Sequence, residues 1–446
     1  MPRRLALCVT FLSVALLCGW GVAVDKRPAL KPSAGQPSWP QWRGPNRDDI
    51  SPDKGLLTEW PEEGPPLAWQ VDGLGSGYSS VSIADGHIYT MGNRDDAQWV
   101  FALELDGGRE VWKSRVADKS TNSYPGTRCT PTVDGQLLYA ISSNGDLACL
   151  KTADGSEVWR VSFPKDFQGK MHSGWGFSES PLVDGDKVVC TPGGPEAGIV
   201  ALNKKSGEVI WKCAIPDLGK NGGDGAGYSS IVIGKGAGVK QYVQLVGRGV
   251  VGLAADSGKF LWGYNRIANN TANIPTPIVH DDFVFCSSGY GTGSALLKLS
   301  GSKGEVQADE VYFHNGKELQ NHHGGMIMLG DYVYMGHGHN NGAPTCVEWK
   351  TGKTVWREDR GPGQKTAHIT YADGNLYFRY ESGLMALIGA TPDGYQLHGK
   401  FNIPDGKTPS WAHPVVIGGK LYLRDQERLL CFDVEAKSKG KNKRAK

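Results

Sequence analysis

ALELDGGREVW (102–112), CLKTADGSEVW (149–159), ALNKKSGEVIW (201–211), GLAADSGKFLW (252–262) and CVEWKTGKTVW (346–356) are five copies of one pattern: a small residue, a glycine, then a tryptophan four positions later. A glycine in that position closes a short hairpin with positive φ, which makes Gly108, Gly155, Gly207, Gly258 and Gly352 turn residues. The small residue ten before the tryptophan leaves room for a neighbouring sheet. The indole is large and flat, with one polar edge, and fills the gap between adjacent sheets. Trp112, Trp159, Trp211, Trp262 and Trp356 are therefore structural residues.

Before each copy lies a second hairpin, with apolar residues alternating around a D-G, G-D or G-G turn, as in SVSIADGHIYTMG and PVVIGGKLYLRD. Two hairpins make a four-stranded unit. Between Leu67 and Val434 the unit recurs eight times with a period of roughly 45 residues. The fifth and seventh copies lack the tryptophan, and in the seventh His398 stands where it is expected. The eighth, ending in RLLCFDV (428–434), is one strand short, and LAWQV (67–71) offers that strand from the other end with Trp69 in the signature position. Closing the ring this way leaves no open sheet edge. The sequence thus predicts an all-β, eight-bladed propeller over residues 67–435, preceded by an irregular proline-rich segment (24–66) and followed by a basic tail (436–446) predicted to be disordered. Trp39 and Trp42, in WPQWRGPNRDD (39–49), are expected to dock on the propeller.

Met1 to Ala23 carries Arg3 and Arg4, an apolar stretch and a Gly21-Val22-Ala23 cleavage site, the pattern of an export signal. A periplasmic or secreted location follows, with lipid anchoring at Cys18 as the less favoured variant because Leu17 precedes it. No later run reaches the ~20 apolar residues of a membrane span. After the signal, seven cysteines without a C-x-x-C pair indicate neither a disulfide framework nor a zinc ribbon. The net charge of +2 carries no nucleic-acid footprint. A monomer is expected.

The A-L-x-x-x-x-G-x-x-x-W signature, with V-D-G or A-D-G hairpins between copies, resembles the PQQ-binding-like (quinoprotein-like) propeller repeat family across residues 39–434. The resemblance implies one of two branches: quinoprotein dehydrogenases, which hold pyrroloquinoline quinone and calcium in the central funnel, or the BamB type, which holds no cofactor and binds a partner. The dehydrogenase branch implies two neighbouring cysteines over the quinone, which this chain lacks, and no catalytic residue carries over to a position here. The chain resembles the BamB type more.

In a propeller the residues just before each innermost strand converge at one mouth of the channel. Counting back from each hairpin turn gives Tyr78, Arg128, Glu179, Tyr228, Asn273 and Trp411 as ligand-contacting candidates. Three consecutive repeats bring His323, His368 and His413 to the same level, the residue type and spacing for a transition-metal site. A hydrated polar rim is the alternative reading of all of them. HGHNN (337–341) is read as a turn far from the rim. The functional expectation is a non-catalytic scaffold presenting loops to an envelope protein or polysaccharide. The alternatives are a quinone- or metal-dependent oxidoreductase, and a carbohydrate binder using Tyr78, Tyr228 and Trp411.

Overall fold

The computed structural model describes residues 36–121, 123–407 and 409–436; the segment read above as an export signal, Cys18 and most of the basic tail lie outside them. Eight antiparallel four-stranded sheets form the ring. The first blade runs through Ser82–Ala84, His87–Arg94, Ala97–Glu104 and Glu110–Asp118, innermost strand first. Blades two to seven repeat that order, beginning at Thr132, Leu182, Val232, Ile278, Met326 and Ala367. The eighth has three strands of its own, and Leu67–Val71 pairs antiparallel with Arg428–Asp433 to complete it, placing Trp69 opposite Cys431. One short helix, Phe163–Phe167, interrupts the pattern after blade two.

Each signature does two mechanical jobs. The small residue faces the tryptophan of its own blade across the outer hairpin: Ala102 opposite Trp112, Cys149 opposite Trp159, Gly252 opposite Trp262. So the space it leaves belongs to its own indole as well as to the gap between sheets. The glycine is required twice over. Gly155 has φ +71, and a Cβ there would sit 2.6 Å from the Trp112 ring of the preceding blade. Gly207 against Trp159 and Gly258 against Trp211 repeat the contact. Several indoles also donate to the next blade, as Trp112 does to the Thr152 carbonyl at 2.9 Å and Trp356 to Thr391 at 2.8 Å.

The two irregular blades keep the contact by other means. In blade five the outer-strand irregularity aligns Leu296 with Tyr312, so Tyr312 takes the indole's place and the next blade's Gly352 packs on its ring. In blade seven the register puts Gly399, not His398, in the tryptophan position. A Cβ on Gly399 would lie 2.7 Å from Cβ of Trp60, which comes from the proline-rich segment and packs edge-on against Tyr377 and Phe401. His398 instead bonds Asn375 at 2.7 Å.

All seven described cysteines are free and buried, Cys129 included. Among the described residues no helix is long and apolar enough to cross a membrane.

Candidate functional site

The channel is closed partway down by the chain's own N-terminal segment. Trp39 pairs with Ile83 in blade one, the Pro40 carbonyl accepts from the Val133 amide in blade two, and Ser51 donates to Tyr371 in blade seven. Between these anchors Arg43, Arg47 and Asp49 turn with φ of 62, 58 and 59°, a region that residues with a Cβ occupy only when their surroundings hold them there. The holding groups are visible. Buried Arg47 donates to the carbonyls of Ile231 (2.8 Å), Ser180 (3.0 Å) and Pro181, and to Gln41. Arg43 pairs with Asp49 at 2.6 Å and donates to the Met326 carbonyl at 2.6 Å. Two guanidiniums thus fasten the segment to blades three, four and six. Trp42 faces the other way, over a cavity of about 690 Å³ that opens at the mouth.

The walls of that cavity form one continuous chain of rings. Tyr78 stacks on Trp411 with centroids 4.4 Å apart, Trp411 meets His323 edge-on at 5.0 Å, and His323 lies 3.9 Å from His322. His322 continues to Tyr290 at 4.9 Å and to His339 at 4.2 Å. On the floor side His323, His368 and His413 follow one another at 5.9 and 5.1 Å, and His413 reaches Trp42 at 5.5 Å. Trp411 also donates to Glu381 at 2.9 Å, and the same carboxylate holds Lys365 at 3.0 Å.

Two features stand out electrically. Both ring nitrogens of His368 are buried without a hydrogen-bond partner in the chain, as is Nδ1 of His323, whereas His322 bonds the Asn340 side chain. Burial pushes these imidazoles down, His322 to about 3 and His323 and His368 well below the usual histidine range, so they are neutral near pH 7. Arg128 is the second feature. It donates to the carbonyls of Gly126 (3.0 Å) and Tyr124 (2.7 Å) and lies over the Tyr78 ring, and among the described residues no carboxylate reaches it. Burial pulls its guanidinium down to about 10, still charged.

Residues 96–358, from blade one to the end of blade six, match the family model described as Outer membrane protein assembly factor BamB. The chain belongs to that family. A 105-residue stretch, 22% of this chain, is 30% identical to the BamB proteins of Escherichia coli and Shigella dysenteriae, and covers 26% of their length. Among solved structures, BamB from Moraxella catarrhalis superposes with a TM-score of 0.58 at 13% identity, over 82% of this chain and 97% of that one. A quinohemoprotein alcohol dehydrogenase from Comamonas testosteroni reaches 0.61 at 13% identity, over 90% and 81%. Both likenesses are of fold, shared by catalytic and BamB-type propellers alike.

On this BamB-family frame the structure brings together Tyr78, Arg128, Tyr228 and Trp411 with His323, His368 and His413 around one cavity. Glu179 and Asn273 are not there. Along each strand entry alternate side chains face the channel, so Ser178 lines the cavity while Glu179 turns inward to accept from the Thr191 amide at 2.6 Å and hydroxyl at 3.0 Å. Asn273 likewise turns away between the lining residues Ala272 and Ile274, and donates to the carbonyls of Val246 and Gly247. His323 and His368 stack with their planes inclined by 14°, and His413 is tilted by 45° against His368. Among the described residues no group of three or more histidines, cysteines or acids is arranged to hold a metal ion. The HGHNN loop does reach the mouth, where His339 and Asn340 line the cavity. In an antiparallel blade the second strand returns to the side where the first began, so second-to-third loops and strand-entry connectors share one face. Glu381 and Tyr290 arrive by the same route, and no local motif marks either in the sequence.

Proposed function

We propose that this chain is an exported, non-catalytic propeller that serves as a binding scaffold at the cell envelope, engaging an outer-membrane protein partner through its surface loops. The observation that carries the reading is the match of residues 96–358 to the BamB family. Two features of the molecule bear on it. The outermost strands of the successive blades one to three expose Val111, Val158 and Ile210, blade six exposes Val355, and Tyr124 stands half-exposed at the mouth; these apolar side chains are points where a partner can be probed. The residues at the mouth also fit poorly with quinone and calcium. Calcium takes six to eight oxygen ligands, whereas Glu381 is the one carboxylate among the described lining residues and is already held by Lys365 and Trp411.

The test has two readouts on one strain. Mass spectrometry of the mature protein from the envelope fraction should find an N-terminus after Ala23, and a photo-crosslinking residue at position 158 or 210 should capture an outer-membrane protein that the same residue at a buried site does not. Purified protein mixed with pyrroloquinoline quinone and calcium should neither retain the quinone nor reduce a dye with alcohols. Stoichiometric quinone with turnover would overturn the scaffold reading, as would retention of the full-length chain in the cytoplasm.

A further inference from the structure

The cavity is walled like a ligand site and not like a bare rim. Its volume of about 690 Å³ falls within the ~300–1,000 Å³ of small-molecule sites. A buried polar atom without a partner costs on the order of 1–3 kcal/mol, and this wall holds several of them. His368 is 1% exposed, and both of its ring nitrogens, with Nδ1 of His323, lack partners within the chain. A polar molecule seated in the cavity would complete them.

The chemistry of the missing partner can be narrowed from the groups that face it. A neutral imidazole offers one donor and one acceptor. The group that answers both at once is a hydroxyl, which also donates and accepts, and a row of neighbouring imidazoles calls for a row of hydroxyls. Ser80, Ser178, Ser230, Thr130 and Thr276 add further hydroxyls around the same cavity. Aromatic faces at Trp42, Trp175, Tyr228 and Tyr290 supply the apolar surface on which the C–H side of a ring compound rests. The fixed charge is a single cation: Lys365 is paired with Glu381, while Arg128 keeps N–H groups beyond the two bonded to Gly126 and Tyr124. One free guanidinium matches one carboxylate in planar geometry, and offers too little charge for a phosphate ester or a tricarboxylate.

We propose that the mouth of the channel binds an acidic saccharide, a sugar whose carboxylate pairs with Arg128 and whose hydroxyls satisfy His368. This goes beyond the scaffold reading and does not depend on it: the sugar site involves the cavity walls, whereas the protein contact involves the outer strands and loops.

The test uses the purified mature chain and two probes that differ in one group: an aldobiouronic acid, with one uronate joined to one neutral sugar, and the same disaccharide with its carboxyl reduced to the alcohol. Calorimetry and the fluorescence of Trp42, Trp175 and Trp411 read the binding. The acid should bind saturably and at least tenfold more tightly than its reduced counterpart. Arg128→Gln should lower the affinity for the acid to that for the reduced sugar, and His368→Ala should weaken both probes, with thermal melts confirming that each variant is folded. Arg128→Lys, which keeps the charge and loses the planar fork, should fall between wild type and Arg128→Gln. The proposal is overturned if neither probe binds at millimolar concentration, if both bind equally, if acetate displaces the acid at comparable concentration, or if Arg128→Gln changes nothing. Because no protein partner enters this experiment, its failure leaves the crosslinking result untouched, and the reverse also holds.

Discussion

The floor and the walls of the channel are built on opposite principles. On the floor, buried Arg43 and Arg47 spend their N–H groups on carbonyls of blades three, four and six and on Asp49, so the segment carrying them is tied down although three of its residues have left-handed backbone. In the walls, the imidazole of His368 touches other rings and hydrogen-bonds nothing within the chain. Buried polar groups in folded proteins are satisfied as a rule, so the contrast separates two purposes. The floor's polar groups serve the chain itself, and the walls' polar groups await a molecule from outside.

The contrast breaks most heavily at Arg47. Arg47→Met keeps the aliphatic stem but strands the carbonyls of Ile231, Ser180 and Pro181 in a dry site, at about 1–3 kcal/mol for a group left unsatisfied. We expect a loss of about 3–5 kcal/mol in urea unfolding, together with increased proteolysis of the 39–51 segment. A loss below about 1 kcal/mol would mean that the segment merely covers the channel. Trp60→Ala comes next. It empties the gap over Gly399 that other blades fill with an indole, or in blade five with Tyr312, and large-to-small core changes of this kind cost about 3–5 kcal/mol; an effect near 3 is expected because the neighbouring chain can settle into the gap. Adding a tryptophan back in the seventh blade should not rescue it, since Gly399 has φ +140 and cannot carry a side chain without strain.

These two tests also mark where the sequence was and was not legible. The ring, its closure through Trp69 and the level of the mouth follow from a periodic signature, because every blade solves the same local problem. Trp60 and Tyr312 solve that problem non-locally or with another residue type, so the pattern reads as simply missing in blades five and seven. At the mouth, counting back from each turn finds the right height but not the facing: a one-residue difference separates lining Ser178 from inward Glu179. His339, Glu381 and Tyr290 were hidden because strand direction, which places second-to-third loops beside the strand entries, is a property of the assembled blade and not of any motif.

The pH dependence sharpens the comparison in sign. Unfolded histidine protonates near 6.5, while buried His322 stays neutral down to about 3. The unfolded state therefore binds more protons in that window, and stability falls as pH drops from 6.5 towards 3. For one imidazole still neutral at pH 5 the loss is on the order of 2 kcal/mol, at 1.36 kcal/mol per unit. Glu179, buried beside Arg47, has its carboxyl raised by burial from 4.5 to about 8, so its contribution is lost in the opposite direction, as pH rises from 4.5 through 8. Urea midpoints between pH 4.5 and 8.5 should show a shallower acid limb in His322→Gln, with the other buried histidines keeping the rest of the slope, and a shallower alkaline limb in Glu179→Gln. If either substitution flattened the other limb, the assignment of the two slopes to walls and floor would fail.

The smallest effect is the most discriminating. Where a buried polar group has a partner, replacing it costs stability; where it has none, an apolar group of similar shape is nearly neutral or even stabilising. His368→Phe keeps a ring against the neighbouring rings and removes nitrogens that bond to nothing within the chain. It should change the unfolding free energy at pH 7 by less than about 1 kcal/mol, against the several expected for Arg47→Met, and should remove the acid-sensitive contribution of its own imidazole. A loss of about 3 kcal/mol would show that those nitrogens are already satisfied within the folded protein, by ordered water for example. In that case walls and floor would obey the same rule, and the unmet hydrogen bonds that point to an outside ligand would not exist.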